Sequence, residues 1–166
     1  MSDTSPRFSL PLLAAGQAQK ELFHNEALTI VDAIVHPLAL TIGDAAPPAA
    51  PVPGQCWIVG ASPVGAWAGR AATLAAWTEG GWRFVVPVEG MAVWIAAEGL
   101  EARFEGGAWT LGEVIARRLL IGGVQVVGAR APRIAAPSGG TNSDQQSRDA
   151  IAAIIAVLSG HGLTAN

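Results

Sequence analysis

All six tryptophans of this chain fall within residues 55–111, a stretch that glycine breaks into short runs. This pattern constrains the fold more than any other feature. The runs Gln55–Val59, Leu74–Thr78, Trp82–Val86, Ala92–Ala96 and Ala102–Glu105 are too short for helices and are bounded by turn residues, which suits strands. Glu79-Gly80-Gly81 joins the second run to the third as a hairpin turn. Glu98-Gly99 separates the next two runs, and Gly106-Gly107 turns the chain toward Trp109. Strands joined by tight turns at this spacing predict an antiparallel meander. The segments AWTEGGWRF and ARFEGGAWT each set an acidic-Gly-Gly turn beside a Trp. This is hairpin repetition with too few copies for a solenoid.

The flanks are helical. Gln17 to Val35 carries Phe23, Ala27, Ile30, Val31 and Ile34 at helical spacing, with Gln19, Glu21, Asn25 and Asp32 largely off that stripe. Pro37 ends the helix, because its ring disfavours helical geometry at His36. Near the other terminus, Ser143-x-x-Gln146 reads as a capping box, and Asp144 suits the positive end of a helix. Ile151, Ile154, Ile155 and Leu158 follow at i, i+3, i+4 and i+7, and Gly160 and Gly162 provide the stop. The predicted fold is α+β and mostly β: a small antiparallel Trp-rich meander between an N-terminal and a C-terminal helix. Residues 1–42 form an arm and helix, with Phe8, Leu10, Leu12 and Leu13 as apolar anchors on the arm. Residues 43–54 (GDAAPPAAPVPG) form a Pro/Ala linker, 55–136 the β-domain, and 137–166 a loop and helix. Between Val114 and Leu120 helix and strand stay open, while Gly122 to Arg130 reads as a strand.

Composition removes several functions. The net charge is −3, with nine scattered Arg and one Lys. That is no basic stripe for nucleic acid. No apolar run approaches the roughly 20 residues that cross a bilayer, so membrane insertion is not expected. The N-terminus lacks the basic-then-apolar pattern of an export signal, so the chain is expected to be made in the cytoplasm. One Cys excludes an internal disulfide. Charged residues are 14% of the chain, against roughly 25% in ordinary domains. A chain so poor in charge fits one that covers surface in an assembly.

Chemistry is sparse. His24, His36 and His161 show no metal spacing, so no metal or other cofactor is expected. Cys56 lies in a predicted strand, where an inert buried thiol is expected. Glu79, Glu89, Glu98, Glu101 and Glu105 would have to supply any glycosidase-like acid pair, yet most sit in or near turns, where solvated acids are the ordinary case. The chain is not expected to be an enzyme. The tryptophans remain: most should fill a thin core. Trp67, in the loop VGAWAG, and Trp82 and Trp109, beside turns, are the candidates for an exposed platform that binds sugar. For the helices two readings stay open, packing on the chain's own sheet or packing between chains. The candidate interface residues are Phe8, Leu10, Leu12, Leu13, Phe23, Ile151, Ile154, Ile155 and Leu158.

The blocks LPLLAAGQAQKELFHNEAL, GQCWIVGASPVGAWAG and AAWTEGGWRFVVPVEGMAVWI, with the tail VVGARAPRIAAPSGGTNSDQQSRDAIAAIIAVLSGHGL, carry a resemblance over nearly the whole chain. The sequence resembles a family of unknown biochemical function from alphaproteobacterial prophages and gene transfer agents, whose members are associated with tail fibres and head spikes. The resemblance implies a structural virion component, a head-spike base or fibre adaptor. Its partners would be the capsid vertex or tail, a fibre protein and copies of itself, with attachment to a recipient cell as its purpose. The alternative is a module that binds capsular polysaccharide directly through exposed Trp.

Overall fold

The computed structural model describes residue 12 and residues 20–139 and 144–165, with backbone alone for residues 20–23. The proposed anchors Phe8, Leu10 and Leu13, the side chain of Phe23, and Ser143 lie outside the described residues; Leu12 is half-buried. Among the described residues the architecture is mostly β, ten strands with an N-terminal and a C-terminal helix and a Trp-rich cluster, as the sequence predicts. The chain divides into two compact units between Glu113 and Val114.

Helix α1 spans Lys20–Ile34. The expected apolar stripe is not the side it buries. Val31 and Ile34 are exposed, whereas Asp32 and Ala33 are buried. Two features turn the helix. Ala33 is small enough to bring its backbone onto the core cluster. Glu26, seven residues earlier on the same side, forms a bidentate ion pair with Arg83, the second contact being 2.9 Å from Nη2 to Oε2.

Eight strands complete the first unit: β1 Leu38–Ala39, β2 Ile42–Asp44, β3 Cys56–Val59, β4 Leu74–Thr78, β5 Gly81–Val85, β6 Ala92–Ile95, β7 Leu100–Glu105 and β8 Ala108–Leu111. They form two sheets of four strands, not one meander. The first sheet has the order β2-β3-β4-β5 and the second β1-β6-β7-β8. In each, a short parallel edge strand leads a three-stranded antiparallel meander. Cys56, Ile58, Leu74 and Ala76 of the first sheet meet Val93, Ile95 and Ala102 of the second in one buried cluster. The alternation of side chains along each strand produces this inner face.

The repeated hairpin is real in three dimensions. Trp77 pairs with Trp82 beside one turn, and Phe104 with Trp109 beside the other. Their rings meet edge-on at 4.9 and 5.3 Å between centroids, a favourable cross-strand arrangement. Gly106 and Gly107 both have positive φ, 59° and 81°, as a two-residue turn of the type that matches strand twist requires. The Glu89 carboxylate accepts from both of their N–H groups, at 3.1 and 3.3 Å.

The segment Pro37–Asp44 serves both sheets. Trp94 and Ala96 donate to the carbonyls of Pro37 and Ala39, while Leu40 donates to Cys56 and Ile58 donates to Thr41. Residues at the edge of the expected Pro/Ala linker therefore form strand, and the helix preceding it belongs to the same unit. A second link is Trp109, whose Nε1–H donates to the Ala72 carbonyl at 2.8 Å.

The second unit, Val114–Asn166, holds the hairpin β9 Leu119–Ile121 and β10 Val124–Val127 and helix α2, Gln145–Gly160. Gly122-Gly123 is thus a turn between strands, not the start of one. Helix α2 is capped by Asp144, whose carboxylate accepts from the N–H of Ser147 at 3.1 Å and from its hydroxyl at 2.7 Å. Gly162, at φ 72°, closes the other end. Polar contacts tie the parts together. Arg130 donates to the Thr164 carbonyl at 2.9 Å, Arg148 to the carbonyl of Pro137 at 2.8 Å, and Ala131 bridges Thr164.

Replacing Trp109 by Phe keeps an aromatic ring and removes the hydrogen bond between the sheets. Urea unfolding should show a loss of about 1–2 kcal/mol with an unchanged slope. Asp144 gives a pH test. The Ser147 hydroxyl, then its N–H, hold the Asp144 carboxyl below the ordinary aspartate value. A depressed folded value means the cap acts fully above the ordinary value and is lost as pH falls through the lowered one. Circular dichroism of the wild type and Asp144→Ala should therefore differ in helix content at neutral pH and converge in strong acid.

Candidate functional site

Three surfaces come into question. The first is the outer face of the first sheet. Alternation sends Trp57, Val59, Ala75, Trp77, Trp82 and Phe84 away from the shared core, giving that sheet two apolar faces. The loop between β3 and β4 covers the second one. It leaves β3 at Gly60, where an added Cβ would lie 2.3 Å from the Gly43 carbonyl oxygen, so only glycine fits. Gly65 and Gly69, at positive φ, let the loop fold back and lay Trp67 on the sheet. Trp67 is fully buried, at 0% exposure. It meets Trp82 edge-on at 5.3 Å and Trp57 at 6.3 Å. Arg70 stacks over Phe84 at 5.0 Å.

The expectation that Trp67 stands at the surface is therefore corrected. A Gly/Ala loop carries no sign of burial, but the outward Trp57, Trp77, Trp82 and Phe84 demanded a lid. Trp82 is half-buried among Trp57, Trp67 and Trp77. Trp109, also half-buried, packs on the shared core. The three proposed platform residues are thus engaged in packing, two on the first sheet's outer face and one inside.

The second surface is the outer face of the second sheet. Trp94 is the exposed indole, at 45%. Register places Leu38, Trp94 and Glu101 in one row across β1, β6 and β7, with Ala92 and Arg103 in the next. His36, Pro37, Leu38, Ala92, Trp94 and Glu101 line an open depression of about 590 Å³. Arg103 donates to the Glu101 carboxylate at 3.0 Å on the same face. No sequence signal separated Trp94 from its neighbours, since the run AVWIA is apolar on both sides.

The third surface is the second unit. No side chain of α2 is buried. Ile151, Ile154 and Val157 are exposed, and Ala153, Ile154, Val157 and Leu158 form a continuous apolar patch. Both faces of the β9–β10 hairpin are exposed as well. Among the described residues of this unit only Thr164 is buried.

The remaining chemistry is dispersed. Cys56 is buried in the shared core, as expected of an inert thiol. Glu89 serves the β7–β8 turn and Glu101 faces Arg103. Among the described residues, no three His, Cys, Asp or Glu side chains converge as a metal site would need. No helix among them is long and apolar enough to cross a membrane.

Residues 24–110 match the model of the family described as protein of unknown function DUF2793, and the chain belongs to that family. The match runs from α1 to the last strand of the first unit, so both sheet surfaces lie inside it and the second unit lies outside. No curated protein matches the chain.

Trp67→Ala should cost about 3–5 kcal/mol in urea unfolding, the range for deleting a buried aromatic side chain. Trp67→Phe should cost clearly less. It keeps a ring, and it removes the indole N–H that is buried with no hydrogen-bond partner.

Proposed function

We propose that this chain is a non-enzymatic structural component of a phage-like particle, a head-spike base or fibre adaptor. It docks on the particle, assembles with copies of itself and holds a receptor-binding fibre for attachment to a recipient cell. It is made in the cytoplasm and ends in the particle. The first unit acts as the rigid body and the second as the assembly element.

The observation that carries this reading is the second unit's lack of an apolar interior. Thirteen of its large apolar residues, from Val114 to Leu163, stand exposed. Burying one aliphatic side chain is worth about 1.5–3 kcal/mol, or roughly 60–120 Å² at about 25 cal/mol per Å². Half-exposed side chains in this number present several hundred Å², the order of one partner's share of a specific interface, about 800 Å². Monomeric proteins rarely leave patches of this size in water. A second copy is the best-suited occupant. The patch on α2 has helical i, i+3, i+4 spacing and is nearly uncharged, so it complements itself, and like patches meet across a two-fold axis. The resemblance of the sequence to proteins of prophages and gene transfer agents supports the particle setting, and the low charge content is in keeping with it.

Mass measurement in solution tests the reading. The full chain should form a stable oligomer, and removing residues 143–166 should reduce it or abolish it. Ile154→Asp and Val157→Asp should do the same. Both residues are more than half exposed, 59% and 58%, so the unit keeps its own contacts. A full chain that stays monomeric at micromolar concentration, or variants that assemble like the wild type, would exclude self-assembly through α2.

A further inference from the structure

We infer that the Trp94 face is a saccharide-binding platform that takes a β-linked pyranose chain. The inference is independent of the assembly role above, since Trp94 lies in the first unit. A buried indole needs no ligand, and five of the six tryptophans pack in the body or half-pack against it. Trp94 is the exception. It sits mid-strand in β6, flanked by Leu38 on one side and Glu101 on the other. The indole therefore lies on a pleated surface that the backbone holds rigid, and rigid positioning limits the entropy lost on binding.

The surroundings match the two-sided chemistry of a sugar ring. A β-linked pyranose with equatorial hydroxyls shows axial C–H groups on its face and hydroxyls around its edge. The C–H face suits the electron-rich indole. The edge requires groups that accept and donate in one plane. Glu101 provides acceptors and Arg103 donors, and their 3.0 Å contact fixes both. His36 adds an imidazole to the lining of the depression. Small Ala92 beside Trp94 leaves the ring face open along the next row.

The test uses the full chain and an immobilised and soluble panel of β-linked gluco- and galacto-oligosaccharides, read by ligand-observed NMR and by tryptophan fluorescence. At least one oligosaccharide should bind at millimolar concentration or tighter. Trp94→Ala should weaken it by about tenfold or more, the equivalent of one stacking contact, and Trp94→Phe by less. Glu101→Gln should weaken binding while leaving the fluorescence change intact, and Trp82→Phe should leave the affinity unchanged. Circular dichroism confirms that each variant folds. Binding to no member of the panel, or binding that Trp94→Ala leaves unchanged, would overturn the proposal. So would a Trp94→Ala variant whose oligomer mass differs from the wild type, because the face would then be a contact between copies.

Discussion

The first unit depends on one extended segment that hydrogen-bonds to two sheets at once. Pro37–Asp44 pairs with β6 through its first half and with β3 through its second. Ala39, at the crossover, is fully buried in the shared core. Remove this segment and each sheet becomes a three-stranded meander with an unpaired edge, and the hydrogen bonds that tie the two sheets to one strand are lost. The same segment follows directly from α1, so the helix is positioned by the strand after it. The Glu26–Arg83 pair then fixes its rotation. The depression around Trp94 begins at His36 and Leu38, which means that the candidate platform is built from the same residues that hold the sheets together.

The two sheets repeat a plan but not a surface. The first sheet covers its outer face with a loop that carries Trp67; the second leaves its outer face open. The difference lies in connection length. Fourteen residues, 60–73, separate β3 from β4, enough to fold back over the sheet, whereas the corresponding link between β6 and β7 is a short turn at Ala96–Gly99. A tryptophan at the equivalent place in the second sheet therefore has nothing to lie beneath. The distinction between a packing indole and a presenting one comes from topology rather than from residue type.

Much of the fold was legible in the sequence. Glycine marks the hairpins at 79–81 and 106–107, and the strands Leu74–Thr78 and Ala92–Ile95 lie where their turns predict. Helix α2 lies between its expected acidic start and its glycine stop, with Asp144 and Ser147 supplying the cap. What could not be read is non-local. Leu38–Ala39 and Ile42–Asp44 are too short to announce themselves, and neither pairs with its neighbour in sequence: Leu38 pairs with Trp94 and Ile42 with Ile58. The side of α1 that packs is chosen by Ala33 and by an ion pair with a distant strand. Trp67 and Trp94 exchanged their expected places for the same reason, because burial depends on what crosses above a residue and not on its neighbours along the chain.

The β9–β10 hairpin carries a further consequence. Two strands joined by Gly122-Gly123, with leucine, isoleucine and valine on both faces, cannot supply their own stability in water. Under the proposed assembly, order in the hairpin rises by mass action with the concentration of the partner that covers it. Under the proposed assembly, folding of this segment and recognition of the partner are a single equilibrium. A free chain at low concentration would expose a protease-sensitive tail beside a resistant body, and incorporation would protect both.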